Sequence, residues 1–210
     1  MNMIVSPPVW TGSRSHSKCP AFVDVMLRYY VNRQAKKNSR TKRCTRVTAM
    51  TESSVVYHEA GHAVMAVWLG AEVLHVTIQP DRDDGPRRDG DAMVRWHHQG
   101  LSSRELCERE LMVVLAGPIA EMIHAEQRSN LSSTPEWAGD WRIACQLAGT
   151  IIKEPTRRRA MIDAIIEKLF TLVSRDDFWQ AISEVADLLD AHQTIEGDEV
   201  AQCVARWLGK

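Results

Sequence analysis

The sequence predicts a mainly α-helical domain with a small β-sheet or hairpin. Three observations predict it. Apolar residues recur at helical spacing through 51–69, 102–124 and most of 138–208. One short stretch, 73–79, alternates instead, with Leu74, Val76 and Ile78 set against His75, Thr77 and Gln79. Turn-forming residues cluster between these segments, most densely at 81–91, where Gly85, Pro86 and Gly90 sit among five aspartates.

Taken in order, residues 1–19 are rich in Pro, Ser and Gly and read as a tail. Residues 20–34 carry Phe22, Val23, Met26, Leu27, Tyr30 and Val31 near one face of a helix. A basic run follows at 35–46. Residues 1–50 hold ten Lys/Arg and one acid, Asp24, which leaves 16 basic and 26 acidic residues for 51–210. The overall charge of -1 therefore hides a basic arm on an acidic domain. A solvated arm is the favoured reading, with organellar targeting or an anionic partner as its competitors. Met50 stands just before the first well-formed element, so an over-extended gene start is a third reading of residues 1–49. The domain proper is read as 50–210.

Thr51 is placed to cap a helix over 51–69, with Gly70 ending it. The strand at 73–79 should pair through the charged turn with a return strand at 92–98. Ser102 or Ser103 can cap the next helix, expected to break near Gly117-Pro118 and to resume to His124. After a loop at 127–137, helices are expected over 138–153, 156–174, 177–191 and 197–208.

With 44 % hydrophobic and 25 % charged residues the chain belongs with ordinary globular domains. Its five cysteines are scattered, with no C-x-x-C pair, which argues against a disulfide framework or a cysteine-built zinc site. No apolar run reaches the roughly 18 residues of a membrane span, and no secretory signal is visible. These features predict a cytoplasmic location. The near-zero net charge gives no expectation of nucleic-acid binding.

The chemistry concentrates in His58-Glu59-Ala60-Gly61-His62. Histidines at i and i+4 stand on one helix face, about 5–6 Å apart at Cβ, so both rings can reach one zinc ion. Glu59 is one position on and need not ligate. It is placed to take a proton from a water that the metal activates. The pattern predicts an active-site helix of the zincin type. Gly61 costs about 1 kcal/mol of helix propensity relative to Ala, which marks a close approach of another backbone or a ligand. The competing reading has two helix histidines satisfied by hydrogen bonds, with no metal.

Further along, five segments form an order. Val56-Tyr57-His58-Glu59-Ala60-Gly61-His62-Ala63 resembles the peptidase motif of the FtsH-like ATP-dependent zinc metalloproteases. Residues 73–80 resemble the strand after it, and Leu115-Ala116-Gly117-Pro118-Ile119-Ala120-Glu121 resembles that family's L-x-G-R-x-A-E helix. Residues 138–144 resemble its G-A-x-N-D segment, and 194–200 its L-D-G-x-E stretch. The resemblance covers roughly 50–208. It implies an FtsH-peptidase-like helical domain, zinc as cofactor, and Asp140 as third ligand with His58 and His62. Glu121 on its own helix is the competing third ligand, and a first-turn acid is the plain alternative for Asp140. Pro118 and Gly139 depart from the family's Arg and Asn.

The expected activity is therefore a zinc metalloendopeptidase acting on a polypeptide substrate, with Glu59 as general base and acid. No G-x-x-x-x-G-K-[ST] occurs in the sequence, so ATP hydrolysis is not expected of this chain, and a separate ATPase or unfoldase would be a partner. A homo-oligomer is a further expectation. The alternative is a non-catalytic metal-binding adaptor on the same fold. Among the remaining residues, His75, His97 and His98 read as surface groups. Trp137 and Trp141 flank Asp140 as a wall of the site or as core, and Arg157-Arg158-Arg159 reads as a solvated face or an anion site.

Overall fold

A computed structural model of the protein describes residues 53–79, 90–97, 100–127 and 137–209. The tail, the basic arm, Thr51, most of the charged turn, His98, much of the 127–137 loop and the side chain of Trp137 lie outside the described residues. The described chain is mainly helical with one three-stranded antiparallel sheet. In order it runs α1 (Ser53–Trp68), β1 (Glu72–Thr77), β2 (Asp91–Arg95), α2 (Ser103–Gln127), α3 (Trp137–Ile151), α4 (Pro155–Val173), α5 (Asp176–His192), β3 (Thr194–Glu196) and α6 (Gly197–Leu208). Among the described residues, no helix is long and apolar enough to cross a membrane.

Helix α1 is the centre of the packing. It lies against α2 and α5, and more lightly against α6 and the sheet. Ala60, Ala63, Val64 and Met65 are fully buried along it. Gly61 meets the condition its cost implies: a Cβ there would lie 2.8 Å from both the Ala116 carbonyl oxygen and the Ala120 methyl. The two helices touch backbone to backbone at that point, so the motif helix and α2 are held at a fixed, short separation.

Helix α2 differs from expectation. It does not break at Gly117-Pro118 but runs unbroken to Gln127. Pro118 supplies no N–H for the Val114 carbonyl, a defect that costs about 3 kcal/mol in an isolated helix. Here Leu115, Ala116, Ile119 and Ala120 are all fully buried, and the packing of both flanks outweighs the local penalty. Its start follows the sequence. The Ser102 hydroxyl accepts from the Glu105 N–H at 3.2 Å, while the Glu105 carboxylate accepts from the Ser102 N–H at 2.9 Å, a reciprocal cap.

The sheet order is β2-β1-β3. The expected alternation of β1 is interrupted by a bulge: Val73 pairs with Val94 and His75 with Met93, leaving Leu74 as the extra residue. Val73 and Val76 are consequently the buried residues of the strand, not the Leu74, Val76, Ile78 set. Strand β3 is absent from the sequence reading, because three residues are too few for alternation to register. Gly197 follows it, and a Cβ there would fall 1.7 Å from the Val73 carbonyl oxygen, so only glycine lets α6 start against β1.

The remaining helices fall within two residues of the expected bounds. The Arg157-Arg158-Arg159 cluster is mostly consumed internally. Arg158 donates to the Ile152 and Lys153 carbonyls just past the end of α3, at 3.2 and 3.1 Å, and Arg159 donates to Asp163 at 2.8 Å.

Candidate metal centre

Helix α1 carries His58 and His62 on the face turned toward α2 and the start of α3. Each ring has one nitrogen committed. His62 Nδ1 donates to the Val113 carbonyl at 2.8 Å, and His58 Nδ1 donates to Glu121 Oε2 at 3.0 Å. A carbonyl and a carboxylate can only accept, so both Nδ1 atoms carry a hydrogen, and a ring presents a bare Nε2 only once any second proton has left it.

Those two Nε2 atoms face each other at 3.0 Å. Two lone pairs at that distance repel unless a proton or a cation lies between them. Asp140, in the first turn of α3, adds a third donor: its Oδ2 is 3.2 Å from His58 Nε2 and its Oδ1 3.9 Å from His62 Nε2. Four-coordinate zinc with ligands at about 2.0–2.2 Å sets its ligand atoms about 3.3 Å apart. The observed separations bracket that value. His58, His62 and Asp140 thus form a cluster that could hold a metal ion, and among the described residues they are the only such group of three.

The electrostatics agree. Burial opposes a charge on His58, but its contacts with Asp140 and Glu121 outweigh it and raise the ring's pKa to about 10. The two carboxylates thus favour positive charge at this ring. Burial, and then the neighbouring His58 charge, push His62 below its ordinary value, so it offers a neutral ring.

The two candidates for third ligand occupy different sides of His58. Asp140 faces Nε2, where the donors converge. Glu121, only 4 % exposed, faces Nδ1 and orients the ring from behind. A carboxylate in that position fixes the tautomer and strengthens the imidazole as a ligand. Sequence reasoning marks Glu121 as a rival ligand and misses this role. The signal for it is an acid within the apolar stretch 111–123, where only a partnered carboxylate is tolerated.

Glu59 is also buried, at 7 % exposure. Burial raises its pKa to about 7, and the nearby charges of Asp140, Asp91 and Glu121 add to the effect against the pull of His58. It does not join the three-donor cluster. Gly117 serves the cluster from α2: a Cβ there would lie 2.3 Å from His62 Nε2, inside the ring's own space.

Other singled-out residues lie elsewhere. His75 is half-buried on β1, opposite Glu196. His97 is an exposed ring 3.3 Å from Glu72. Trp141 is core, 4 % exposed, with the Arg159 guanidinium 5.7 Å from its ring centroid. Nothing in the sequence singles out His124, which is buried and stacks on Tyr57 at 3.8 Å, with Trp179 also stacked on Tyr57 at 5.5 Å.

No model of a known protein family matches this sequence, and no curated protein is significantly similar to it.

Proposed function

We propose that the protein is a zinc-dependent metalloendopeptidase of the zincin type, built like the peptidase domain of FtsH-like proteases. The observation that carries the reading is the convergence of two histidine Nε2 atoms and one carboxylate, with a separate buried acid, Glu59, on the same helix. A structural histidine pair has no use for that fourth group. Bound there, zinc would polarise a scissile carbonyl and acidify water at its open position.

The chain's own residues then divide the work. His58, His62 and Asp140 supply the ligands, and Glu121 and the Val113 carbonyl hold the two rings in register. Glu59 takes the proton of the attacking water and returns it to the leaving amine. A carboxyl near neutrality suits both directions of transfer. A cation beside it would draw its pKa down again, favouring the base form at the start of the cycle. Strand β2 is an outer strand of the sheet and begins beside Glu59. Among the described residues it has one unpaired edge, where an extended peptide can add as a further strand. The substrate is accordingly an exposed, flexible segment of polypeptide. Folded substrates would call for a separate unfoldase.

Replacing Glu59 by Gln tests the reading. Zinc content measured after purification should match the parent, while cleavage of a flexible casein-like substrate should fall by roughly a thousandfold or more. Cleavage that survives the substitution sinks the mechanism. A parent that binds zinc but cleaves nothing, with or without chelator, favours the adaptor reading instead.

A further inference from the structure

Two kinds of special glycine stand out among those described. Gly70 and Gly100 have φ of +86° and +84°, a backbone that favours glycine, and neither is crowded. Gly90 is the opposite case. It is not among the positive-φ residues, so no left-handed backbone calls for glycine there. Its space is what is taken. A Cβ on Gly90 would lie 2.6 Å from Glu59 Oε1, 2.7 Å from Glu59 Cγ and 2.9 Å from Glu59 Cδ. Three atoms of one side chain lie across one residue, so the length of Glu59 rests on the Gly90 backbone.

We infer that Gly90 is a positioning residue for Glu59: it lacks a side chain so that the start of β2 can close over the carboxylate and fix its orientation. The inference rests on the reading of Glu59 as the proton carrier.

The physical reason is conformational. A glutamate on a helix has three side-chain torsions to restrain, and a base that wanders by about 1 Å can lose on the order of a hundredfold in rate. The contact with Gly90 supplies a steric restraint on those torsions. It also covers one side of the carboxyl, which limits solvent access there. The cue in the sequence is easily taken for turn chemistry alone: Gly90 ends the charged turn and immediately precedes the strand.

The experiment is a double-variant cycle with Gly90→Ala and Glu59→Ala, singly and together. Three quantities are read: the melting temperature, zinc affinity by chelator competition, and kcat and KM on a flexible substrate. Gly90→Ala should lower kcat by roughly 10- to 100-fold, with KM and zinc affinity within about twofold of the parent. It should lower the melting temperature of the parent but not of the Glu59→Ala protein, where the crowded side chain is gone. An equal drop in both backgrounds overturns the contact. Coupled melting with unchanged kcat overturns the positioning role. Should Gly90→Ala alone fail to fold, folding of the double variant supports the inference and its failure overturns it. A parent with no peptidase activity removes the functional reading of Glu59 and this role with it, while the melting cycle still reports the contact.

Discussion

The two halves of the molecule are built by different rules. In the half formed by α4, α5 and α6, local chemistry and packing agree. The Glu154 carboxylate caps α4 by accepting from the Thr156 and Arg157 N–H groups at 2.7 and 2.6 Å. Glu196 and Glu199 form a reciprocal cap on α6, and Gly209 ends it at φ 66°. The buried side chains there are apolar. In the half formed by α1 and α2, several local rules are broken. Glycines sit inside both helices, a proline sits inside α2, and all four buried polar side chains among the described residues, His58, Glu59, Glu121 and His124, lie on these two helices. Buried charge is costly unless paired, and helix glycine costs about 1 kcal/mol. Such a concentration is expected where function, not stability, has set the residues.

If that division is correct, the two halves should fail in different ways. The largest stability loss should come from the C-terminal half. Phe178 is fully buried on α5 and meets Trp68 edge to face at 5.6 Å. Phe178→Ala should cost about 3–5 kcal/mol, measured by urea unfolding of the metal-free protein. Trp68 is about 15 Å along α1 from His58, so zinc affinity of the folded fraction should be unchanged. A parallel loss of zinc affinity would erase the distinction between the halves.

Gly117→Ala should do the reverse. The new methyl would sit where the His62 ring lies, and the ring is tethered by Nδ1 to Val113. Alanine is the better helix former by about 1 kcal/mol, which offsets part of the strain. Melting of the metal-free protein should therefore move little, while zinc affinity falls by about a hundredfold, or ~2.7 kcal/mol. Retention of parental affinity would mean the ring can move without losing the metal.

Acidity gives a smaller and graded effect. In the metal-free protein His58 carries a proton up to about pH 10, and a metal must displace it. Zinc affinity should rise about tenfold, or ~1.4 kcal/mol, for each pH unit between about 7 and 9. The metal-free fold should show the opposite slope. The His58 pKa is raised above its unfolded value, so the stability it contributes is complete below about 6.5 and is lost as pH climbs through 10. Glu59 is raised as well, and its contribution is lost as pH passes about 7. Buried His62, held low, acts in the other sense only at more acid pH. Urea midpoints with and without zinc, taken from about pH 7 to 10, should therefore diverge. Parallel curves would show that His58 is not the proton that the metal replaces.

The same division explains what is legible in the sequence. Where local preference and tertiary packing agree, helix bounds can be read to within two residues. Spacing alone puts His58 and His62 on one face, because i and i+4 geometry is fixed by the helix. Asp140 is not legible this way: it lies 78 residues beyond His62, and only the order of motifs points to it. Glu121 is visible as an acid in an apolar stretch, but which side of His58 it faces depends on how α1 docks on α2. The unbroken α2 and the bulge at Leu74 escape for one reason, since in both tertiary contacts override a correct local preference. His124 and Gly90 carry no periodicity or spacing that could single them out.

The smallest expected effect tests the well-behaved half at its one exception. Gln193 follows α5 with φ 62°, the only positive φ among the described non-glycine residues. Its N–H donates to Leu189 at 2.7 Å and its carbonyl accepts from the Ile78 N–H at 2.9 Å, so the backbone is committed to this shape. The side chain offers only an exposed bond, in which Gln79 Nε2 donates to Gln193 Oε1 at 3.2 Å. A glycine in its place would relieve the left-handed strain at little cost in contacts, so Gln193→Gly should stabilise the fold by roughly 0.5–1 kcal/mol. For a domain of this size that is about 1–4 °C in melting temperature. Zinc affinity and kcat should not move, because the hydrogen bonds of Gln193 run to Leu189, Ile78, Thr77 and Gln79 and not to the donors. A drop in stability would mean that the Gln79–Gln193 bond outweighs the strain. The C-terminal half would then contain a place where a local rule is broken for the sake of a contact, as in the metal half.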